Sequence, residues 1–149
     1  MKKFAFPLDR VLDWRRTQAG IEEANLGRLH AELRSLEARQ TALIQEFDRQ
    51  RDTLIRAESH TGFELTIFDE YRKSVVIDWA RLEQARAQCG TRIAAQIEAV
   101  RAKRRDLRLL ERLRDRRFAE WTAELGREVD REAADAYLAR RQNRAPVSL

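Results

Sequence analysis

A stripe of apolar residues at alternating three- and four-residue spacing is the feature that most limits how this chain can fold. Leu12, Ala19, Leu26, Leu33, Gln40, Phe47 and Leu54 recur every seven residues, and no proline interrupts the run from Leu8 to about Ser59. Leu8, Leu29, Leu36, Leu43, Gln50 and Ala57 form a companion series, less regular near Arg15 and Glu22. This is the period of a left-handed coiled coil, because it keeps one narrow helical face turned toward a partner helix. Pro7, just ahead of the stripe, suits a first-turn position, where its missing N–H would be unpaired anyway.

The period stops across Ser59, His60, Thr61, Gly62, Phe63, Glu64 and Leu65, a cluster of turn-forming residues. Thr66, followed three residues later by Asp69, reads as a capping box with Asp in place of Glu. A second stripe then runs through Val75, Trp79, Leu82, Arg86, Cys89, Ile93, Gln96, Val100, Lys103, Leu107 and Leu110. It continues less regularly through Leu113, Phe118, Trp121, Leu125 and Val129 to about Arg141.

Neither stripe can bury itself, so the expectation is an all-α fold in which two long helices pair as an antiparallel coiled-coil hairpin in a single domain. The first helix is expected over 8–58, the turn over 59–66, the second helix over 67–141, and a frayed tail over 142–149, which carries Pro146. A turn centred near Gly62 sets Phe47 against Trp79, Leu43 against Leu82 and Leu33 near Ile93. It also sets Gln40 beside Arg86 and Leu29 beside Gln96. Polar groups inside a seam specify register at a cost in stability. At the open end, Phe4 and Phe6 approach Phe118 and Trp121.

The helices are unequal. About 50 residues span roughly 75 Å and about 75 span roughly 110 Å at the α-helical rise. The second helix therefore overhangs beyond about Leu125, which leaves Leu125, Val129, Tyr137 and Leu138 without an intramolecular partner and available for docking.

Composition supports a seam over a round core. The chain has 149 residues, is 37% charged and 7% aromatic, and has a mean hydropathy of −0.67. The formal net charge is +5. Of the 30 basic residues only Lys2, Lys3, Lys73 and Lys103 are lysines, so the excess is arginine, which makes forked bonds to carboxylates and phosphates. Cys89 is the single cysteine; it reads as a small buried hydrophobe in a reducing cytoplasm. The opening residues mimic the start of a signal peptide, but Asp9 and Arg10 interrupt any apolar core. No stretch approaches the ~20 apolar residues of a membrane span.

Catalytic and cofactor motifs are absent from the sequence. His30 and His60 have no Cys or His companion at ligand spacing, so no metal site is expected. The acid pairs Glu22 with Glu23 and Asp130 with Glu132 read as solvated helix faces, since a paired-carboxylate site needs a cleft. Gly20, Gly27, Gly62, Gly90 and Gly126 are isolated and make no phosphate loop, so any nucleotide chemistry belongs to another protein. The expectation is a chain that is not an enzyme and takes no cofactor. Gly20 and Gly27 share a helix face, either because a partner helix approaches closely there or as a tolerated local weakness.

The densest basic run holds Arg101, Lys103, Arg104, Arg105, Arg108, Arg112, Arg114, Arg116 and Arg117, several of them expected to face the first helix. A basic helix of this kind can lie along nucleic acid. Asp106, Glu111 and Asp115 dilute the phosphate-neutralising charge, which favours an acidic protein match over nucleic acid.

Both ends of the chain resemble a known family. Phe4, Phe6, Leu8, Val11, Leu12 and Arg15, followed by Glu22-Glu23-Ala24, are similar to the opening of flagellar FliJ proteins. The run Leu110-Glu111-Arg112-Leu113-Arg114-Asp115-Arg116-Arg117, then Trp121, Glu124, Arg127-Glu128 and Asp130-Arg131-Glu132, is similar to that family's closing signature. After Glu128 the chain departs from the family's Asp-Glu-Ala step, with Glu132-Ala133-Ala134-Asp135-Ala136 in its place.

The resemblance implies an antiparallel coiled coil that inserts the end carrying both termini into the hexameric flagellar export ATPase and stimulates it. It also implies contact with the export gate membrane protein and escort of export chaperones in flagellum biogenesis, and so a part in motility and chemotaxis. The protein would be cytoplasmic and peripheral at the inner membrane's cytoplasmic face through its partners, and a monomeric hairpin when free. On this reading the ATPase-binding end comprises Phe4, Phe6, Leu8, Arg112, Arg116, Arg117, Phe118, Trp121 and Arg127. Three other readings stand beside it: the equivalent stalk of a virulence type III secretion system, a basic nucleic-acid-binding coiled coil, and a structural coiled coil that self-associates.

Overall fold

The computed structural model describes residues 3–144. It contains two helices, α1 (Asp9–Arg56, 48 residues) and α2 (Gly62–Arg144, 83 residues), and no strand among the described residues. They pack against each other as a helical hairpin with the longer helix second, the arrangement that two facing seams require.

The helix boundaries follow from end chemistry. Pro7 lies in the turn that leads into α1, not in its first helical turn. The Asp9 N–H donates to the Phe6 carbonyl at 3.1 Å, and the acidic Asp9 then sits in the first turn, where the helix dipole favours it. The last turn of α1 carries Arg56, again matched to the dipole.

Helix α2 begins at Gly62, five residues before the sequence suggested, because a different capping box closes it. The Glu64 N–H donates to Thr61 Oγ1 at 3.2 Å, and the Thr61 N–H donates to Glu64 Oε2 at 3.0 Å. This reciprocal pair satisfies two backbone donors at once. Thr66 and Asp69 are already inside the helix. The Thr66 hydroxyl donates to the Gly62 carbonyl at 2.9 Å, and Asp69 pairs with Arg72 at 3.1 Å and Lys73 at 3.2 Å. Both segments match the cap pattern, and the earlier one carries the Glu that reaches back. At the other end of α2, residues 142–144 of the expected frayed tail are helical, and 145–149 lie outside the described residues.

Packing divides the chain into two compact units. The first to describe is Gln18–Lys103, which contains the turn. Its core is Leu36, Cys89 and Ile93, with Leu26, Leu29, Leu33, Leu82, Ala85 and Ile97 packed against it. Cys89 is fully buried, and its thiol approaches the Leu29 carbonyl at 3.5 Å, the behaviour of a small apolar residue with one weak donor. Gln40, 5% exposed, donates from Nε2 to Glu83 Oε2 at 2.8 Å. Gln96 donates from Nε2 to the Glu22 carbonyl at 3.0 Å. Gln40 and Gln96 thus find acceptors across the helix pair, and among the described residues no buried side-chain nitrogen or oxygen lacks a partner.

The register matches expectation in part: Leu33 packs on the core that holds Ile93, and Gln40 and Arg86 line one groove, but other pairs are shifted. Phe47 stacks on Phe68 and Tyr71, with centroids 5.8 and 6.2 Å away, and not on Trp79. Gln96 bonds to Glu22 in place of lying beside Leu29, whose carbonyl meets Cys89. The connection takes five residues where eight were expected, so the returning helix meets α1 sooner. Arg92 pairs with Glu32 at 2.7 Å and Arg86 with Glu37 at 3.6 Å across the rim. The Glu32 carboxylate raises the pKa of Arg92, first through the hydrogen bond and then through its charge. Exposed pairs of this kind are worth about 0–1 kcal/mol each and mainly orient the helices.

A Cβ added at Gly20 or Gly27 would have nothing within 4 Å, so among the described residues no second helix approaches closely there. Gly20→Ala and Gly27→Ala are therefore each expected to stabilise the free protein by up to about 1 kcal/mol, through helix propensity and a less free unfolded chain. Thermal melts of the double variant should rise by several degrees; a lower melting temperature would show that the glycines relieve some close contact.

The second unit brings the residues up to Thr17 together with those from Arg104 onward. Leu12 and Phe6 are buried at 1% and 5% exposure. Leu107, Leu110 and Leu113 are half-buried. Arg15 pairs with Asp106 at 3.0 Å, Arg16 with Glu111 at 3.8 Å, and Arg114 with Asp9 at 3.7 Å. Among the described residues everything from Gly126 to the end of α2 is exposed. The sequence expected this overhang.

Candidate partner-binding surfaces

The open end is built by the extended segment before α1 folding onto α2. Phe4 meets Phe118 edge-on at 5.2 Å and Trp121 at 5.9 Å, and Phe118 and Trp121 stack at 5.8 Å. Phe118 and Trp121 are three residues apart on α2 and so project from one face. Phe4 packs against both rings, and Phe6, two residues on, is buried and ties the segment down. Such aromatic contacts add about 0.5–1.5 kcal/mol each beyond area burial.

The sequence-predicted site residues divide by exposure. Phe118 is 50% exposed and Leu8 is 37% exposed, while Phe4 and Trp121 are half-buried. These four can offer an apolar face. Phe6 is buried and has little surface to offer. Phe4, Pro7, Arg117, Trp121 and Glu124 line a shallow groove of about 500 Å³. Arg117 pairs with Glu120 at 3.2 Å, and Arg127 Nε donates to the Ala123 carbonyl at 3.3 Å. Arg112 and Arg116 are exposed, and among the described residues no carboxylate pairs with either. Of the basic run, Arg114 reaches α1 through Asp9, whereas Arg105, Arg108, Arg112 and Arg116 point to solvent, contrary to the expectation that several face the first helix.

On the overhang, Val129, Tyr137 and Leu138 are 42%, 66% and 53% exposed, and Leu125 is half-buried. The apolar stripe therefore continues past the last residue that α1 and its leading segment can cover.

Sequence reasoning overlooked the turn end. There Phe47, Phe68 and Tyr71 form a second aromatic group. Leu54, Ala57, Ile67, Phe68 and Tyr71 line a groove of about 660 Å³, and Ile55 and Phe63 beside it are 68% and 75% exposed. Asp69, next to Phe68 in sequence, has its pKa lowered by its hydrogen bond from Lys73 and then by that from Arg72. Ile67 and Phe68 fall within the Thr66–Asp69 cap pattern of the sequence, and Tyr71 precedes the second stripe at Val75, so the periodicity does not mark this group.

No group of three or more His, Cys, Asp or Glu among the described residues could hold a metal ion. No helix among them is long and apolar enough to cross a membrane. The fold thus defines an all-α hairpin with exposed apolar and arginine-rich surfaces. Comparison with protein-family models, curated proteins and solved structures finds no match.

Proposed function

We propose that this chain is a non-catalytic stalk of the flagellar FliJ type, which inserts its open end into a hexameric export ATPase and stimulates it. The observation that carries the reading is the open-end cluster: Phe4, Phe118 and Trp121 in mutual contact, with Arg117 lining the groove beside Phe4 and Trp121. Half-exposed aromatics flanked by arginines have the composition of interface hot spots. A helical hairpin whose second helix is the longer suits a stalk in a ring, and unequal contacts with the ring subunits bias which of them closes. Contact with the export gate, escort of export chaperones and a place at the cytoplasmic face of the inner membrane complete the proposal. The same geometry suits the stalk of a virulence secretion system, and the cognate ATPase decides between them.

The test mixes the protein with that ATPase and follows ring formation and ATP turnover. Arg116→Glu and Trp121→Ala should each raise the concentration needed for half-maximal stimulation roughly tenfold, the cost of about 1.4 kcal/mol or more at an anchor. Helicity by circular dichroism should stay near that of the parent. Unchanged turnover at saturating protein would sink the reading. If stimulation and helicity fall together, these residues serve the fold and the site assignment fails.

A further inference from the structure

We propose that the solvent face of α2 between Arg105 and Ala119 docks an acidic amphipathic helix of a partner protein. The observation is a second seam. Arg105, Leu109, Arg112, Arg116 and Ala119 follow one another at four-, three-, four- and three-residue spacing, the pattern of a helix-pairing stripe. Arg108 flanks it one turn from Arg105 and Arg112. All six are exposed, and Leu109, at 64% exposure, is the apolar residue in its middle. Among the described residues none of these four arginines has a carboxylate partner.

The chain shows what such arginines do when a helix lies beside them. Arg15 pairs with Asp106, Arg16 with Glu111 and Arg114 with Asp9, each across the helix pair. The second seam repeats that chemistry with the facing carboxylates missing. It is all arginine, although a diffuse polyanion is held as well by lysine. Arginine's planar fork is suited to paired oxygens held in fixed positions. Glutamates on a helix at 3-4 spacing supply such oxygens at a matching rise, and Leu109 and Ala119 leave room for a side-by-side approach. Arg112 and Arg116 also belong to the end proposed above to enter the ring, so the test variants are confined to Arg105, Arg108 and Leu109, which lie outside that site.

The experiment uses the full chain and a labelled helical peptide of roughly three heptads with glutamate and leucine along its 3-4 stripe. Comparison probes are the same peptide with glutamine for glutamate, a duplex DNA, and phosphatidylcholine vesicles containing roughly one third phosphatidylglycerol. The acidic peptide is expected to bind, the glutamine peptide to bind at least about tenfold more weakly, and added salt to weaken the acidic complex. Arg105→Glu with Arg108→Glu should lower acidic-peptide affinity roughly tenfold or more. Leu109→Ala should lower it several-fold, and stimulation of an export ATPase is a separate readout. Helicity should be unchanged in these variants, since all three residues are exposed. Equal or tighter binding to DNA or vesicles would overturn the proposal in favour of a general polyanion surface. No binding to the acidic peptide, or binding unaffected by the double reversal, would mark a solvated face.

Discussion

Ile93→Ala lowers the stability of the hairpin by about 2–4 kcal/mol, whereas Ile77→Ala on the same helix leaves it within about 0.5 kcal/mol. Ile93 is 8% exposed and packs with Leu36 and Cys89 in the core of its unit; Ile77 is 52% exposed. Truncation at Ile93 removes buried methyl groups and leaves a cavity that two rigid helices cannot close. At Ile77 little apolar area is lost, and alanine's better helix propensity offsets part of it. A hairpin with a one-residue-wide seam has few other contacts to compensate, so the Ile93 variant should melt more than ~5 °C lower. Parallel urea titrations of the two variants measure the contrast. Equal losses would show that the outer face of α2 is covered in solution, and would call the assigned seam into question.

Gln40→Leu should have an effect of the opposite sign. Gln40 is buried in the seam and bonds to Glu83, which is half-exposed and can turn to water once released. Leucine at this position extends the apolar run of Leu33, Leu36 and Leu43 and adds about 1–2 kcal/mol of burial. The cost falls on specificity. A polar group inside a coiled-coil seam penalises other registers and partners, because each of them leaves it unpaired. The variant is expected to melt higher yet to sediment with a larger share of dimers or larger species than the parent at the same concentration. A melting temperature below the parent's, with no change in sedimentation, would mean that the Gln40–Glu83 bond contributes more to stability than to register.

Several features of the fold were legible because they depend on local period and composition. The Leu12-to-Leu54 stripe, the turn cluster around Gly62 and the second stripe from Val75 announce two unequal helices that need each other. The meeting of Phe4 with Phe118 and Trp121 followed from approximate register alone, since at the open end an error of one turn still leaves large rings within reach. Other details were not legible. Two Thr-initiated cap patterns lie five residues apart, and propensity does not rank them; the reciprocal Thr61–Glu64 pair does. That choice shortened the connection and moved Phe47 onto Phe68 and Tyr71.

The sequence by itself determined the helix period, the hairpin and the overhang, because those follow from side-chain spacing summed over dozens of residues. Tertiary structure decided which side of each helix remains free. Leu109 and Ile93 are the same kind of apolar residue on one helix, yet one is 64% exposed and the other 8%. Arg114 and Arg112 belong to one basic run, yet only the first finds a carboxylate, in Asp9. A charge pattern states what a face can bind, but whether the chain's own second helix already occupies that face depends on register, and register is set by a few caps and buried amides.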